Sequence, residues 1–353
     1  MMNIDKYTDA IRNCRFCFMC RHISPVGNVT FAEADTPRVR AVMIYGATCH
    51  PEWWSNPDYI AMLYRSDLSR CCTRHCVNHF DENALNIAAR TDIVEMGYVP
   101  ENIKAIRDEL TAAADWQVSG KADVLYFADP YSVEAGTDKV FDAVMKKAGI
   151  AYASITGQGC IGRALKVLGF AEDAKAVMTK FAALVNESGA KTVVVTNPAA
   201  YQALKVDAAE WGIAVNADVM HTSEFFLAQN FKFNSKAGKL YYIESDYLRN
   251  YNELTFTHDL LAQLGAEEQH LGASHDFLDV PDQQESFSCG EGAVVLPRID
   301  AKLVEKLAKR VEEQADDPAN DRIVTASPYT KLCLERYTSL KVETLEEVVL
   351  KAL

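Results

Sequence analysis

The spacing of hydrophobic positions changes near residue 120. Before that point apolar residues recur at helical intervals, as in ENALNIAARTDIVEMG and in PENIKAIRDELTAAA, where Pro100 suits a first helical turn. After it, short continuous apolar runs (ADVLYFAD, IAYASI, KTVVVTN) alternate with amphipathic stretches such as TDKVFDAVMKKAG and AEDAKAVMTKFAALVNESG. Strands that are apolar on both faces, separated by amphipathic helices, belong to parallel sheets covered on both sides. The pattern predicts a multidomain α+β and α/β protein: a helical domain over residues 1–120, then α/β structure with mostly parallel sheets.

The α/β part repeats itself. VLYFADPY recurs as LYYIESDY, the Cys160 segment as the Cys289 segment, VTNPAAY as TASPYTK, and VMHTSEFFLA as KVETLEEVVL. Self-similarity on this scale marks two copies of one supersecondary unit, here residues 121–236 and 237–353. SKAG near 235–238 and EEQADDPAND near 312–321 read as connections.

Composition narrows the chemistry. The 353 residues, 49% hydrophobic and 24% charged, suffice for several cores. A formal charge of −13 without a basic stripe argues against a nucleic-acid partner. No apolar run has the length of a signal peptide at the start or approaches the ~18 residues that span a bilayer, so a cytoplasmic location without a transmembrane segment is expected. Ten cysteines are too dilute for a disulfide scaffold, and seven of them precede residue 77, which directs attention to a metal or redox site at the N-terminal end.

Two segments carry that site. CRFCFMCRHISP begins as C-x-x-C-x-x-C but places Ser24 where a fourth cysteine before proline would complete a bacterial ferredoxin motif. YRSDLSRCCTRHCVNHF carries S-x-x-S-x-x-C-x-x-x-C from Ser66 to Cys76, the same spacing with two serines. In two-cluster ferredoxins each [4Fe–4S] cluster takes three cysteines from one run and the fourth from the other. The crossed set Cys14, Cys17, Cys20 and Cys76 is complete, whereas Ser66, Ser69, Cys72 and Ser24 retain one thiol. One [4Fe–4S] cluster is expected; tetrahedral zinc on the same four sulfurs, or simple buried thiols, are the alternatives. His22 and His75 flank the ligands and could tune a centre through hydrogen bonds to its sulfurs. Cys49 and Cys71 have no partner by spacing and read as structural.

CRFCFMCRHISPVGNVTFAEADTPRVRAV resembles the N-terminus of the glycolate oxidase iron–sulfur subunit and the related heterodisulfide reductase subunits, with Pro25 to Asn28 and Thr36-Pro37-Arg38 carrying much of the likeness. The resemblance implies a ferredoxin-type helical domain followed by two cysteine-rich CCG repeats, each with a lone cysteine, a Cys-Cys-Gly and a Cys-Pro-x-Cys. Here those positions are degenerate. The first repeat has Pro130, then Cys160-Ile161-Gly162, then Asn197-Pro198-Ala199-Ala200; the second has Asp246 or a neighbour, then Ser288-Cys289-Gly290, then Ser327-Pro328-Tyr329-Thr330. Only Cys160 and Cys289 survive, as a thiol pair across the repeats or as two small core residues, and disulfide reductase activity is not expected.

The leading expectation is an electron-transfer subunit with one cluster, serving, as the resemblance implies, a flavin-linked hydroxy-acid dehydrogenase or oxidase. The alternative is a small-ligand-binding or regulatory module stapled by the metal, with His221, Glu244, Asp246 and His258 as candidates to line a cleft between the halves. An enzyme in its own right has little support: no nucleophile–base pair or phosphate loop is visible, and in GQGCIG the third glycine comes too early for a dinucleotide fingerprint.

Overall fold

The computed structural model describes residues 2–14, 17–269, 271 and 287–353, with the side chains of Asn13, Arg74, His75 and Gln158 outside that description. The N-terminal part is helical: α1 (Thr8–Asn13), α2 (Pro25–Thr30), α3 (Pro37–Cys49), α4 (Pro57–Tyr64), α5 (Cys71–His75), α6 (Glu82–Glu95) and α7 (Glu101–Ala112). Three starts use one local device. Ser24, Thr36 and Asn56 each accept a backbone N–H from the first turn, and proline follows at the first helical position, where no N–H is needed. Pro100 itself occupies the cap position of α7, one residue ahead of the first turn. Central to this part is α6, buried around most of its circumference. Its fully buried Arg90 gives hydrogen bonds to the carbonyls of Leu63 and Val167, tying the helices to the α/β part.

β1 (Asp115–Ser119) precedes the first repeat, which contains β2 (Val124–Phe127), α8 (Pro130–Glu134), α9 (Thr137–Ala148), β3 (Ala153–Gln158), α10 (Arg163–Leu168), α11 (Ala171–Ser188), β4 (Thr192–Val195), α12 (Pro198–Gln202), α13 (Ala208–Glu210), β5 (Asp218–His221) and α14 (Thr222–Ala228). The second has β6 (Gly238–Ile243), a π-helical turn at Asp246–Tyr251, α15 (Phe256–Gln263), β7 (Ala266–Gln269), α16 (Leu296–Ile299), α17 (Ala301–Glu312), β8 (Ile323–Thr325), α18 (Pro328–Tyr337), β9 (Val342–Thr344) and α19 (Leu345–Ala352). The sheets order as β1-β3-β2-β4-β5 and β7-β6-β8-β9, all pairs parallel except β1 with β3. Without β1, both repeats run second-first-third-fourth.

The edge strand β1 falls in the stretch whose pattern reads as helical. DWQVS buries one face only, through Trp116, and is too short to show a period. Gly157 and Gly159, opposite it, have φ of +123°, and a Cβ there would stand 2.2 Å from the Asp115 carbonyl and 2.6 Å from that of Ala113. The glycines of GQGCIG thus serve close backbone approach.

The repeats pack about a pseudo-twofold relation. α8 meets α18 just as the π-helical turn at Asp246 meets α12, and α9 meets α19 as α15 meets α14. Tyr131 and Tyr329 stack edge to face across this interface at 5.3 Å. Among the described residues no helix is long and apolar enough to cross a membrane.

Candidate functional site

The thiol-bearing segment joins α1 to α2. Cys14 ends α1, Cys17 is exposed, and Cys20 lies half-buried in a 3-10 turn, Met19–Arg21. Burial first, then the neighbouring Glu82, Cys14 and Cys17, push the Cys20 thiol up to about 11, while a backbone hydrogen bond from Arg38 opposes the rise. Cys76 caps the C-terminus of α5 and is half-buried against the core. Cys72 also reaches the first segment, with Sγ 3.5 Å from the Cys20 carbonyl and 3.8 Å from Cys71 Sγ. The donor set is chemically suited to iron–sulfur or zinc, although among the described residues no three His, Cys, Asp or Glu side chains are gathered round a common point. His22 is exposed, and the His75 side chain lies outside the described residues. Cys71 is buried and bonds the Ile23 carbonyl, whereas Cys49 is exposed at the end of α3.

The serines of the incomplete set are all buried and all occupied. Ser24 caps α2, accepting the Gly27 N–H at 3.2 Å; Ser66 accepts the Leu68 N–H at 3.4 Å; Ser69 Oγ lies 3.2 Å from Cys71 Sγ. Beside them a buried ion pair, Arg40 with Glu82 at 2.5 Å, is fixed by a further bond from Arg40 to the Asp35 carbonyl. Asp67, also buried, is pushed up by desolvation and drawn back by Arg40.

In the first repeat the degenerate positions converge. Pro130, Cys160, Ile161, Asn197 and Ala200 line a cavity of about 320 Å³ beyond the C-terminal ends of β2 and β4, closed by α7 on one side and by Val294, Val295 and Arg298 of the second repeat on another. Asp129, at the cap of α8, binds Ser132 and accepts from Asn197 Nδ2 at 2.6 Å, and burial raises its pKa. Burial likewise raises the Cys160 thiol, against hydrogen bonds from the Gly162 and Ala164 amides.

In the second repeat the equivalent positions are packed by polar groups. Ser288 Oγ donates to Asp246 Oδ2 at 2.5 Å, Glu291 accepts from Ser245 Oγ at 3.0 Å and from the Asp246 N–H at 2.6 Å, and all of these residues are buried. Burial and mutual repulsion raise the Asp246 carboxyl, and burial pushes Glu291 up to about 7. Cys289, fully buried, has its carbonyl bonded by Tyr329 Oη, and burial, then the nearby Cys333, raise its thiol. Cys160, half-buried, and Cys289, buried, are both free cysteines, each in its own repeat. The frame glycines and prolines persist: Gly162 and Gly290 have φ of +107° and +92°, and Pro198 and Pro328 open α12 and α18 behind the caps Asn197 and Ser327.

The four residues expected to share a cleft do not. His221 is fully buried; Asp246 belongs to the buried network; His258 bridges Glu244 and Glu268 at 2.7 and 2.8 Å within the second repeat, which pushes it up to about 10. Sequence reasoning missed Asp129, Asn197 as a carboxylate partner, and Glu291. The repeat register held a signal for the last, since Glu291 directly follows Gly290.

Residues 128–205, the stretch holding the first repeat's degenerate positions, match the family of cysteine-rich CCG domains, in keeping with the repeat assigned from the resemblance. No curated protein matches the chain. Among solved structures it is similar to a hypothetical protein from Helicobacter pylori, at 8% identity and a TM-score of 0.63, over 99% of this chain and 76% of that one. At that identity the likeness is one of fold.

Proposed function

We propose that the chain is an electron-transfer subunit of an oxidoreductase complex, relaying single electrons through one [4Fe–4S] cluster held by Cys14, Cys17, Cys20 and Cys76. The observation that carries this reading is the contrast between the two ligand sets: one keeps four thiols, while the serines of the other are built into caps and turns beside a buried Arg40–Glu82 pair. CCG domains such as the one matched occur in iron–sulfur oxidoreductase subunits, which is compatible with electron transfer. The segment also reaches the surface. Cys17 is exposed, and Phe18, Met19 and Val77 beside the thiols are exposed hydrophobics, as exchange with a partner requires. A flavin-linked hydroxy-acid dehydrogenase is the partner the resemblance suggests.

Bound, the cluster would supply a one-electron carrier; the chain's part is to fix it by four thiolates and keep one edge near the surface. Anaerobically purified protein should contain about four irons and four sulfides per chain and give a paramagnetic signal on reduction. A redox-silent zinc, or iron near twice that amount, would refute the single-cluster carrier. The cavity of the first repeat favours a second reading, a small-ligand-binding module whose helical part is stapled by metal.

A further inference from the structure

We infer that the cavity at the strand switch point of the first repeat binds a compact, uncharged, largely apolar molecule, of the size of a one- or two-ring aromatic. This rests on the small-ligand reading, not on the cluster. The position is favourable on general grounds. β2 continues to β3 on one side of the sheet and β4 to β5 on the other, so the loops after β2 and β4 part and leave a crevice beyond their C-terminal ends.

The lining defines the ligand's chemistry. Leu110 of α7, Ile161 of the first repeat, and Val294 and Val295 of the second supply apolar walls from three remote parts of the chain. Tyr131 holds two of these parts together by donating to the Val294 carbonyl at 2.8 Å. The polar groups of the floor are already matched within the protein. Asp129 Oδ1 takes the Ser132 N–H and hydroxyl, its Oδ2 takes Asn197 Nδ2, and Asn197 Oδ1 takes the Ala199 N–H at 2.8 Å. Burial favours the neutral forms of both Asp129 and Cys160.

The charged residues of the lining are each paired: at the rim Arg298 with Glu109 and Glu134 with Arg336, and deeper the buried Arg163 with Asp207 at 3.0 Å. An ionic ligand entering this space would shed its hydration without gaining a free counter-ion, whereas an apolar one gains from leaving water. Metal ligation is equally unsuited. With Pro130, Ile161, Asn197 and Ala200 at the ligand positions, one thiol remains.

Methyl NMR of the full chain titrated with indole, and separately with indole-3-carboxylate, tests this. Indole should shift the methyls of Leu110, Ile161, Val294 and Val295 saturably, and the carboxylate should bind at least tenfold more weakly. Ala200→Phe, which fills the floor, should weaken indole binding at least tenfold; Val295→Phe, from the opposite wall, does the same if the first variant is unstable. Stronger binding of the carboxylate at these methyls would overturn the uncharged-ligand inference and leave the small-ligand reading standing. No shift with either probe, or shifts confined to the separate cavity near Ile60 and Ile103, would overturn both. Iron content is measured on the same samples, and its value does not enter the outcome.

Discussion

His221 is wholly buried at the start of α14, with Nδ1 accepting the Ser223 N–H at 3.2 Å and Nε2 2.7 Å from the Thr196 carbonyl it bonds as donor. Both ring nitrogens are engaged by the neutral tautomer, and burial pushes the pKa down to about 4. The unfolded chain takes up a proton at its ordinary value of about 6.5. Below that pH the unfolded state therefore binds more protons, and stability falls with pH until the folded histidine titrates near 4. The full difference corresponds to roughly 3 kcal/mol, and about 2 kcal/mol of it should be lost between pH 7 and pH 5. Urea unfolding at the two pH values checks this. Other carboxyls titrate in the same window, so the decisive quantity is the difference from His221→Asn, which keeps a capping side chain and removes the imidazole. The variant should be less stable at pH 7 and lose less on acidification; parallel losses in both proteins would exclude His221 as the cause.

At the scale of elements, α5 places two cysteines in different settings. Cys72 faces Cys71, the Cys20 carbonyl and the field of Asp67, in the region of the serine-substituted set, and its thiol is raised by the contact with Cys71 and by burial. Cys76 closes the helix. If the crossed assignment holds, Cys76→Ser should give a degraded cluster or apo protein with a loosened helical part, and Cys72→Ser should keep full iron and an unchanged reduced-state resonance. Loss of the cluster in Cys72→Ser alone would reverse the assignment. Much of this architecture was legible in the sequence. The apolar run KTVVVTN became the interior strand β4, and beyond residue 120 the structure holds two sheets whose strand orders match once β1 is set aside. The hidden features had physical reasons. β1 buries a single face, the turn at Asp246–Tyr251 is π-helical with no periodic signature, and the cavity borrows walls from α7 and from residues 294–298, a juxtaposition made by packing alone. Pro130, Cys160 and Asn197 were located through the resemblance, but that burial would raise the Asp129 carboxyl beside them depends on packing, which spacing does not reveal.

For the whole molecule, the distribution of charge makes a sharper statement than its sum. The chain carries −13, yet no carboxylate occurs from residue 10 to 32 or from 68 to 80, and these two cysteine-bearing stretches hold five arginines, Arg12, Arg15, Arg21, Arg70 and Arg74. Among the described side chains, Arg12 is exposed, Arg21 is paired with Glu33, and Arg70, paired with Asp81, bonds the Tyr251 carbonyl where the helical part is fastened to the second repeat. Asn250 donates to the Ser69 carbonyl at 2.9 Å, Tyr251 to that of Leu68 at 2.8 Å, and at Gly292 a Cβ would stand 2.0 Å from the Leu68 carbonyl. With that side occupied, electrons would exchange through the solvent-facing side, where Phe18 is 60% and Val77 75% exposed. Net charge and local charge then predict opposite behaviour. A protein of −13 acting as a uniform sphere would collide faster with a basic carrier, whereas the carboxylate-free stretch around the exposed Arg12 should favour an acidic one, by an attraction that salt screens over a Debye length of roughly 10 Å at 0.1 M. Stopped-flow oxidation of the dithionite-reduced protein by a flavodoxin, an acidic carrier, should slow several-fold as ionic strength rises from about 0.02 to 0.2 M. Oxidation by a basic cytochrome c should change little or accelerate. Arg12→Glu should reduce the rate with flavodoxin while leaving iron content and reduction by dithionite unchanged. If salt instead speeds the flavodoxin reaction and slows that of cytochrome c, the overall charge governs the encounter and the cysteine-bearing face is not where electrons leave.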